Sequence, residues 1–163
     1  MSHKISPFVS LFGGNNLNIA VLTDFANGDK GKLEKLRKSE ILHAGHLFTA
    51  ADFTGTSEAD IEDFFHPALY AKLLNGAFNL QPQHQLNEQS LLAADSTTTR
   101  LLKKAEAAFR VMGNTVPEFN HYAPAEYLMR NPSLLEGNTP EITDTLAKFE
   151  RAIVALNKCL PAK

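Results

Sequence analysis

The chain has 163 residues, 44% of them hydrophobic, and a formal net charge of −2. This length suits one domain of ordinary size or one and a half small ones, and the apolar fraction predicts a packed core rather than wholesale disorder. The charge gives no general electrostatic case for nucleic-acid binding, and the single cysteine, Cys159, excludes an internal disulfide framework and a cysteine-built zinc site. No stretch approaches the ~20 apolar residues of a membrane span, so we expect a cytoplasmic protein without a membrane partner.

The chain is predicted to begin with a short helix over Ser6–Phe12, because Ser6 is a suitable N-cap and Pro7 follows it. A strand is predicted next at Asn18–Thr23, where a continuous apolar run is typical of a strand buried on both faces. Asp24 stands at the end of this strand and is followed by a glycine-containing loop. The spacing of apolar residues then predicts a helix over 33–42.

A second short strand is predicted at His46–Ala50, with Asp52 just beyond it. A strand, a helix and a strand of these lengths form a βαβ unit, in which the two strands are parallel. The carboxyl ends of parallel strands lie at the same edge of the sheet. We therefore expect Asp24 and Asp52 to face one crevice, where ligands bind in open α/β sheets.

An acidic segment follows at 58–65, with the sequence E-A-D-I-E-D-F-F, and we predict a helix there. Acidic residues are favourable in the first turn of a helix, which explains several of these acids without any ligand. The pair Glu58 and Glu62 is less well explained, because like charges four residues apart repel each other in a helix. A bound divalent cation would relieve that repulsion.

The second half of the chain is predicted to be all helical. Its helices are expected at 100–112, 124–130 and 141–160, and the last one carries apolar residues at intervals of three and four; a further helix at 67–75 is expected in the first half. The segment 81–98 is rich in Gln, Asn, Ser and Thr and is interpreted as a boundary or a mobile linker, with one helical turn expected around Leu91 and Leu92. These features predict an α/β region at 1–80, a polar linker at 81–98 and a helical region at 99–163.

The acids after the two strands form the main candidate site. Asp24, Asp52 and the cluster at 58–63 supply only oxygen ligands, which select Mg²⁺, Mn²⁺ or Ca²⁺ over zinc or copper. The alternative is that Asp24 only caps the loop or the next helix. A third interpretation, in which Asp24 is a phosphoacceptor, fits the βαβ pattern but lacks a set of acids before Asp24.

The densest basic cluster lies in the helix after the first strand. It consists of Lys30, Lys32, Lys35, Arg37 and Lys38. Two interpretations are open: a solvated helix face, or a surface that contacts nucleic acid.

These elements together resemble a known family. Asp24 at a strand end, its glycine-containing loop, the basic helix and the stretch A-D-I-E-D-F-F at 59–65 resemble the later half of a TOPRIM domain. The closer resemblance is to the TOPRIM nuclease domains of OLD-family ATP-dependent endonucleases. The segments 119–127 (F-N-H-Y-A-P-A-E-Y) and 148–160 resemble the helical tail that follows TOPRIM in some of them. The implied fold is α/β: a partial, Rossmann-like parallel sheet with flanking helices, followed by an all-helical C-terminal region.

The resemblance implies a metal-dependent endonuclease. Asp24 matches the first aspartate of the family's D-x-D motif, and Glu62 matches a further acidic position, so both are expected to be catalytic and to bind Mg²⁺ or Mn²⁺. Asp60 and Asp29 are further candidates for the metal site. DNA is the implied substrate.

The resemblance also suggests contacts beyond the metal. Lys30, Lys32 and Lys35 are expected to contact the DNA. An ATPase domain or a partner chain is expected to complete the enzyme, and a sheet that lacks its leading strands invites self-association, so a homo-oligomer is expected.

Two departures from the family pattern favour an alternative. Ala26 occupies the second position of D-x-D, and the glutamate-bearing strand of the family is expected upstream of Ser6, where there is no room for it. We therefore expect a C-terminal piece of a larger enzyme, incomplete or inactive on its own. The alternative function is a non-catalytic interaction module that pairs with an ATPase or with itself.

Overall fold

The computed structural model describes residues 18–38, 42–43 and 45–160. These residues form a mixed α/β structure that is mostly helical and contains a small two-stranded parallel sheet. Its contacts divide the chain into two compact units. The strand unit comprises the described residues up to Ile61 and those from Lys148 onward, and the helical unit comprises Glu62–Ala147. The helix predicted at Ser6–Phe12 lies outside the described residues.

The strand unit contains the predicted βαβ succession. Strand β1 is Val21–Thr23, helix α1 is Lys30–Lys38, strand β2 is Leu47–Thr49 and the short helix α2 is Ala51–Thr54. The strands pair in parallel, with Leu22 opposite Phe48. The prediction of two parallel strands joined through a helix is thus confirmed.

A small apolar core holds α1 against the strands. Leu33 and Leu36 of α1 are buried together with Leu42 and Leu47, and Val21 of β1 packs against this cluster. The basic residues of α1 are exposed. Burying two leucines on one side of a helix leaves its other positions to polar residues, as an amphipathic pattern predicts.

The prediction of a helix over 58–65 is wrong. Ala59 instead forms an antiparallel bridge with Phe25: the Phe25 N–H donates to the Ala59 carbonyl over 2.8 Å, and the Ala59 N–H donates back over 2.9 Å. Because both backbone groups of Ala59 are used in this bridge, they are not available to a helical ladder. Helical structure is limited to a 3₁₀ turn at Ile61–Phe64.

The helical unit follows the predicted order of helices. Helices α3 (Pro67–Ala77), α4 (Glu88–Ala93), α5 (Leu101–Met112) and α6 (Ala123–Arg130) lie in it. Helix α7 (Pro140–Asn157) begins in this unit and ends in the strand unit. The predicted helices at 67–75, 100–112, 124–130 and 141–160 are confirmed, with ends shifted by a few residues.

Aliphatic and aromatic side chains build the core of the helical unit. Leu73 and Leu74 of α3 are fully buried, and the rings of Phe78, Phe109 and Phe119 contact one another with centroids 4.6 to 5.8 Å apart. Such ring pairs add to the free energy gained by burying their area. No described helix is long and apolar enough to cross a membrane.

The segment 81–98, predicted to be a linker, contains α4 and contributes to this core. Leu86 and Leu91 are buried. The side chain of Asn75 binds both backbone groups of Leu86, over 2.7 and 2.8 Å, and Asn87 forms a capping box with Ser90 at the start of α4. The observed division into units, after residues 61 and 147, differs from the predicted boundaries at 80 and 98.

A buried lysine fixes the end of α4. Lys104 of α5 is 6% exposed, and its ammonium group donates to the carbonyls of Leu92 and Asp95 over 2.8 and 2.5 Å. Positive charge is favourable at the C-terminus of a helix, where carbonyl groups lack partners within the helix. Lys104 therefore serves as a C-terminal cap supplied by a neighbouring helix.

Candidate functional site

The carboxyl ends of β1 and β2 lie side by side in the strand unit. The pairing continues one step beyond the strands, because the Ala50 N–H donates to the Thr23 carbonyl over 2.9 Å. Asp24 directly follows β1, and Asp52 is the second residue of α2, which follows β2. The parallel register therefore places both acids after the same edge of the sheet, but of the two only Asp52 lines the crevice beside that edge.

Asp24 is half-buried and bound to the acidic segment. Its Oδ1 accepts a hydrogen bond from the Ile61 N–H over 2.9 Å. The bridge between Phe25 and Ala59 brings the two segments together at this point. The structure thus places the carboxylate of Asp24 against the backbone beside Asp60, which is 1% exposed.

Two other carboxylates bind backbone groups of the surrounding loops. Oδ2 of Asp52 accepts hydrogen bonds from the N–H and the Oγ1 of Thr49, over 2.7 and 2.9 Å. Oε1 of Glu58 accepts one from the Asn27 N–H over 2.5 Å. These bonds fix the loops after β1 and β2, because a carboxylate that accepts from backbone N–H groups satisfies donors that the sheet leaves unpaired.

The four predicted metal ligands have different surroundings. Asp24 binds the backbone N–H of Ile61, the residue after the buried Asp60, whereas Asp29 forms an ion pair with Lys32 over 3.0 Å. Glu62 is half-buried in the 3₁₀ turn and belongs to the helical unit. In the described part of the chain, no group of three or more His, Cys, Asp or Glu side chains is arranged to hold a metal ion.

A crevice of about 360 Å³ opens beside the carboxyl edge of the two strands. Its lining combines positive, negative and hydroxyl-bearing side chains. It is lined by Phe25, Lys30, Leu33, Glu34, Arg37, Thr49, Ala51, Asp52, Thr56 and Ser57. All of these residues belong to the strand unit.

Helix α1 presents only part of the basic cluster to this crevice. Lys30 and Arg37 line it, while the predicted contact residues Lys32 and Lys35 do not. Lys30 and Arg37 are seven residues apart and therefore lie on the same face of the helix, since seven residues complete nearly two turns. This spacing is visible in the sequence and distinguishes Arg37, which belonged to the predicted basic cluster but not to the three expected contacts Lys30, Lys32 and Lys35.

The helical unit has a second cleft, of about 560 Å³, near the end of α5. Phe109 and Phe119 contribute its apolar surface, and Glu106, Arg110 and Glu118 contribute its charges. None of these residues belongs to the predicted site.

Comparison of the chain with protein-family models, with curated proteins and with solved structures gave no match.

Proposed function

We propose that this chain is the C-terminal TOPRIM portion of an OLD-like, metal-dependent DNA endonuclease, and that it is incomplete on its own. The observation that supports this proposal is the pair of parallel strands with an acidic residue after each: Asp24 after β1 and Asp52 after β2. In open α/β sheets, ligands bind outside the carboxyl ends of the strands. The two strands would then be part of a larger Rossmann-like sheet.

In this proposal Asp24 is the central metal ligand. Its carboxylate lies at the strand end, beside the segment that carries Asp60, and oxygen donors of this kind suit Mg²⁺ or Mn²⁺. Such an ion would stabilise negative charge on a scissile phosphate and would lower the pKa of a bound water. Glu62, the other ligand implied by the resemblance, lies in the helical unit, so the proposal rests on Asp24.

The residue at the second position of the D-x-D motif, Ala26, limits the proposed activity. Ala26 has no carboxylate, so this strand end supplies one acid where the family pattern supplies two. We therefore propose that cleavage of DNA requires a further chain or domain, such as the ATPase part of the larger enzyme.

A second candidate function is a non-catalytic interaction module that pairs with an ATPase or with itself. Two features of the strand unit support it. Asp52 and Glu58 bind the loops of their own fold, which is a structural role. The end of α7 also carries exposed apolar residues, with Ile153 54% and Val154 45% exposed, and such residues mark interaction surfaces when they cluster.

Binding of Mn²⁺, measured by calorimetry, tests the proposed function. We expect the unaltered chain to bind Mn²⁺ in the millimolar range or tighter, and Asp24→Asn to bind it at least about tenfold more weakly. Asparagine keeps an oxygen that accepts the hydrogen bond from the Ile61 N–H but lacks the negative charge. A loss of binding would therefore report on charge rather than on the loop.

The matched control is Glu88→Gln, which removes one exposed carboxylate from α4 in the helical unit. It should bind Mn²⁺ like the unaltered chain. Equal binding by the unaltered chain and by Asp24→Asn would contradict the role of Asp24. Absence of binding to either would favour the interaction module.

A further inference from the structure

Two cations that line the crevice of the strand unit form no ion pair with any residue that the structure describes. Within the described residues, neither Lys30 nor Arg37 forms an ion pair, whereas Lys32 pairs with Asp29 over 3.0 Å. Lys30 and Arg37 are exposed and line the same wall of the crevice. Both charged groups are therefore exposed to solvent at the crevice, where a ligand can reach them.

The spacing of the two cations points to an extended polyanion. Seven residues of helix separate their Cα atoms by about 10 Å along the axis. One phosphate group is too small to bridge this distance of about 10 Å. The distance corresponds to about three nucleotide steps of 3.4 Å along a strand of DNA. Lysine and arginine are the usual donors to phosphate oxygens.

The negative charges at the crevice also have to be considered. Oδ2 of Asp52 already accepts two hydrogen bonds from Thr49, which partly compensate its charge. Glu34 lies on α1 between Lys30 and Arg37 and is exposed to solvent, where screening weakens its effect. Glu34 is thus expected to weaken the attraction of a polyanion without abolishing it.

We infer that Lys30 and Arg37 contact the phosphate backbone of a nucleic acid at this crevice, and that Lys32 and Lys35 do not. This inference rests on the proposed function and changes its assignment of the binding residues. Lys35 lies about 140° around the helix from Lys30, at 100° per residue, and so faces away from the crevice wall. Helix α1 thus has one face that binds the phosphates, with Lys30 and Arg37, and another that is solvated, with Lys32 and Lys35.

The test compares two double variants that each remove two positive charges from α1. Lys30→Ala/Arg37→Ala removes the crevice pair, and Lys32→Ala/Lys35→Ala removes the other pair. Binding of a short fluorescein-labelled DNA duplex is measured by fluorescence anisotropy in about 50 mM salt with EDTA. Circular dichroism of each variant confirms that it is folded.

We expect Lys30→Ala/Arg37→Ala to weaken DNA binding by about tenfold or more, and Lys32→Ala/Lys35→Ala to change it by less than about threefold. The slope of log K against log salt should become shallower by about 1.8 for the crevice variant, since each phosphate contact contributes about 0.9. Glu34→Gln should tighten binding. Equal losses for the two double variants, or no binding by the unaltered chain, would overturn the inference.

Competition with inorganic phosphate distinguishes a nucleic acid from a single phosphate group. We expect millimolar phosphate to displace the duplex no better than chloride of the same ionic strength. Displacement by phosphate well beyond this salt effect would overturn the assignment to a nucleic-acid backbone. EDTA keeps this experiment independent of Mn²⁺, so the metal proposal and the phosphate assignment succeed or fail separately.

Discussion

In the strand unit, carboxylates at the ends of two short strands accept hydrogen bonds from nearby backbone N–H groups, whereas in the helical unit buried apolar side chains form the core. Asp24, Asp52 and Glu58 each fix a loop of the strand unit. The helical unit instead depends on side chains such as Leu74 and Leu91, both 0% exposed. The difference shows two sources of stability: hydrogen bonds to carboxylates in the strand unit, and burial of apolar side chains in the helical unit.

The largest expected effect comes from the core of the helical unit. Leu91→Ala should lower the free energy of unfolding by about 2–5 kcal/mol, because it removes a fully buried side chain and leaves a cavity. Leu92→Ala, at the neighbouring position, is the matched control and should cost only about 0.5 kcal/mol, since Leu92 is 38% exposed. Urea denaturation measures both. Similar small losses in the two variants would mean that 81–98 acts as a linker rather than as part of the core.

A smaller loss of stability is expected when Asp52 of the strand unit is replaced. Asp52→Ala removes the acceptor for the N–H and the Oγ1 of Thr49, and should destabilise the end of β2 by about 1 kcal/mol. Amide hydrogen exchange at Thr49 should become about fivefold faster. Glu34→Ala, which removes an exposed carboxylate from α1, should leave the exchange at Thr49 unchanged. Unchanged exchange in Asp52→Ala would show that its carboxylate does not fix the strand end.

The smallest effect is a dependence of stability on pH in the helical unit. The side chain and then the backbone N–H of Thr97 donate to Asp95, over 2.6 and 2.8 Å, and lower the pKa of its carboxyl below the ordinary value of 3.8. A carboxyl whose pKa is lowered by folding adds stability above its unfolded pKa, and that stability is lost as the pH falls through the folded pKa. Stability should therefore decrease below pH about 4.

Substitution of Thr97 measures the contribution of this hydrogen bond. Thr97→Val removes the side-chain donor and should reduce the difference in unfolding free energy between pH about 7 and about 3. Thr97→Ser keeps the hydroxyl and should retain the difference. If Thr97→Val shows the same pH dependence as the unaltered chain, the hydroxyl is not the cause of the lowered pKa of Asp95.

Several elements could be predicted because local signals specify them. Pro67 at the first position of α3 and the apolar spacing in α5 and α7 depend on residues within a few turns of each other. The parallel pairing of β1 and β2 follows from a connection through a helix, which returns the chain in the same direction.

The acidic segment could not be predicted correctly from local signals. Glu58, Asp60 and Glu62 match a helical first turn, but the backbone of Ala59 binds Phe25, which is distant in the sequence. A long-range backbone bridge leaves little trace in composition or periodicity, and tertiary context overrides the helical preference of the segment. In the segment 81–98 the helical turn expected around Leu91 and Leu92 is present in α4, but the polar composition did not predict that Leu86 and Leu91 would be buried.

The candidate site was predicted in part. The position of Asp24 and Asp52 after adjacent strands follows from the order of elements alone. Which basic residues of α1 line the crevice was not predicted, although the interval of seven between Lys30 and Arg37 is present in the sequence. A helix can be identified from its pattern before the direction of each face is known, because the direction depends on what the helix packs against.

The sequence by itself determined that a βαβ succession precedes a series of helices, and that acids follow both strands, because these properties depend on periodicity and chain order. Only the tertiary structure decided that Ala59 pairs with Phe25, that Lys104 caps α4 and that Lys30 and Arg37 share the crevice wall. Each of these depends on contacts between residues that are distant in the sequence or on different elements, and such contacts are selected by burial and by the need of backbone groups for partners.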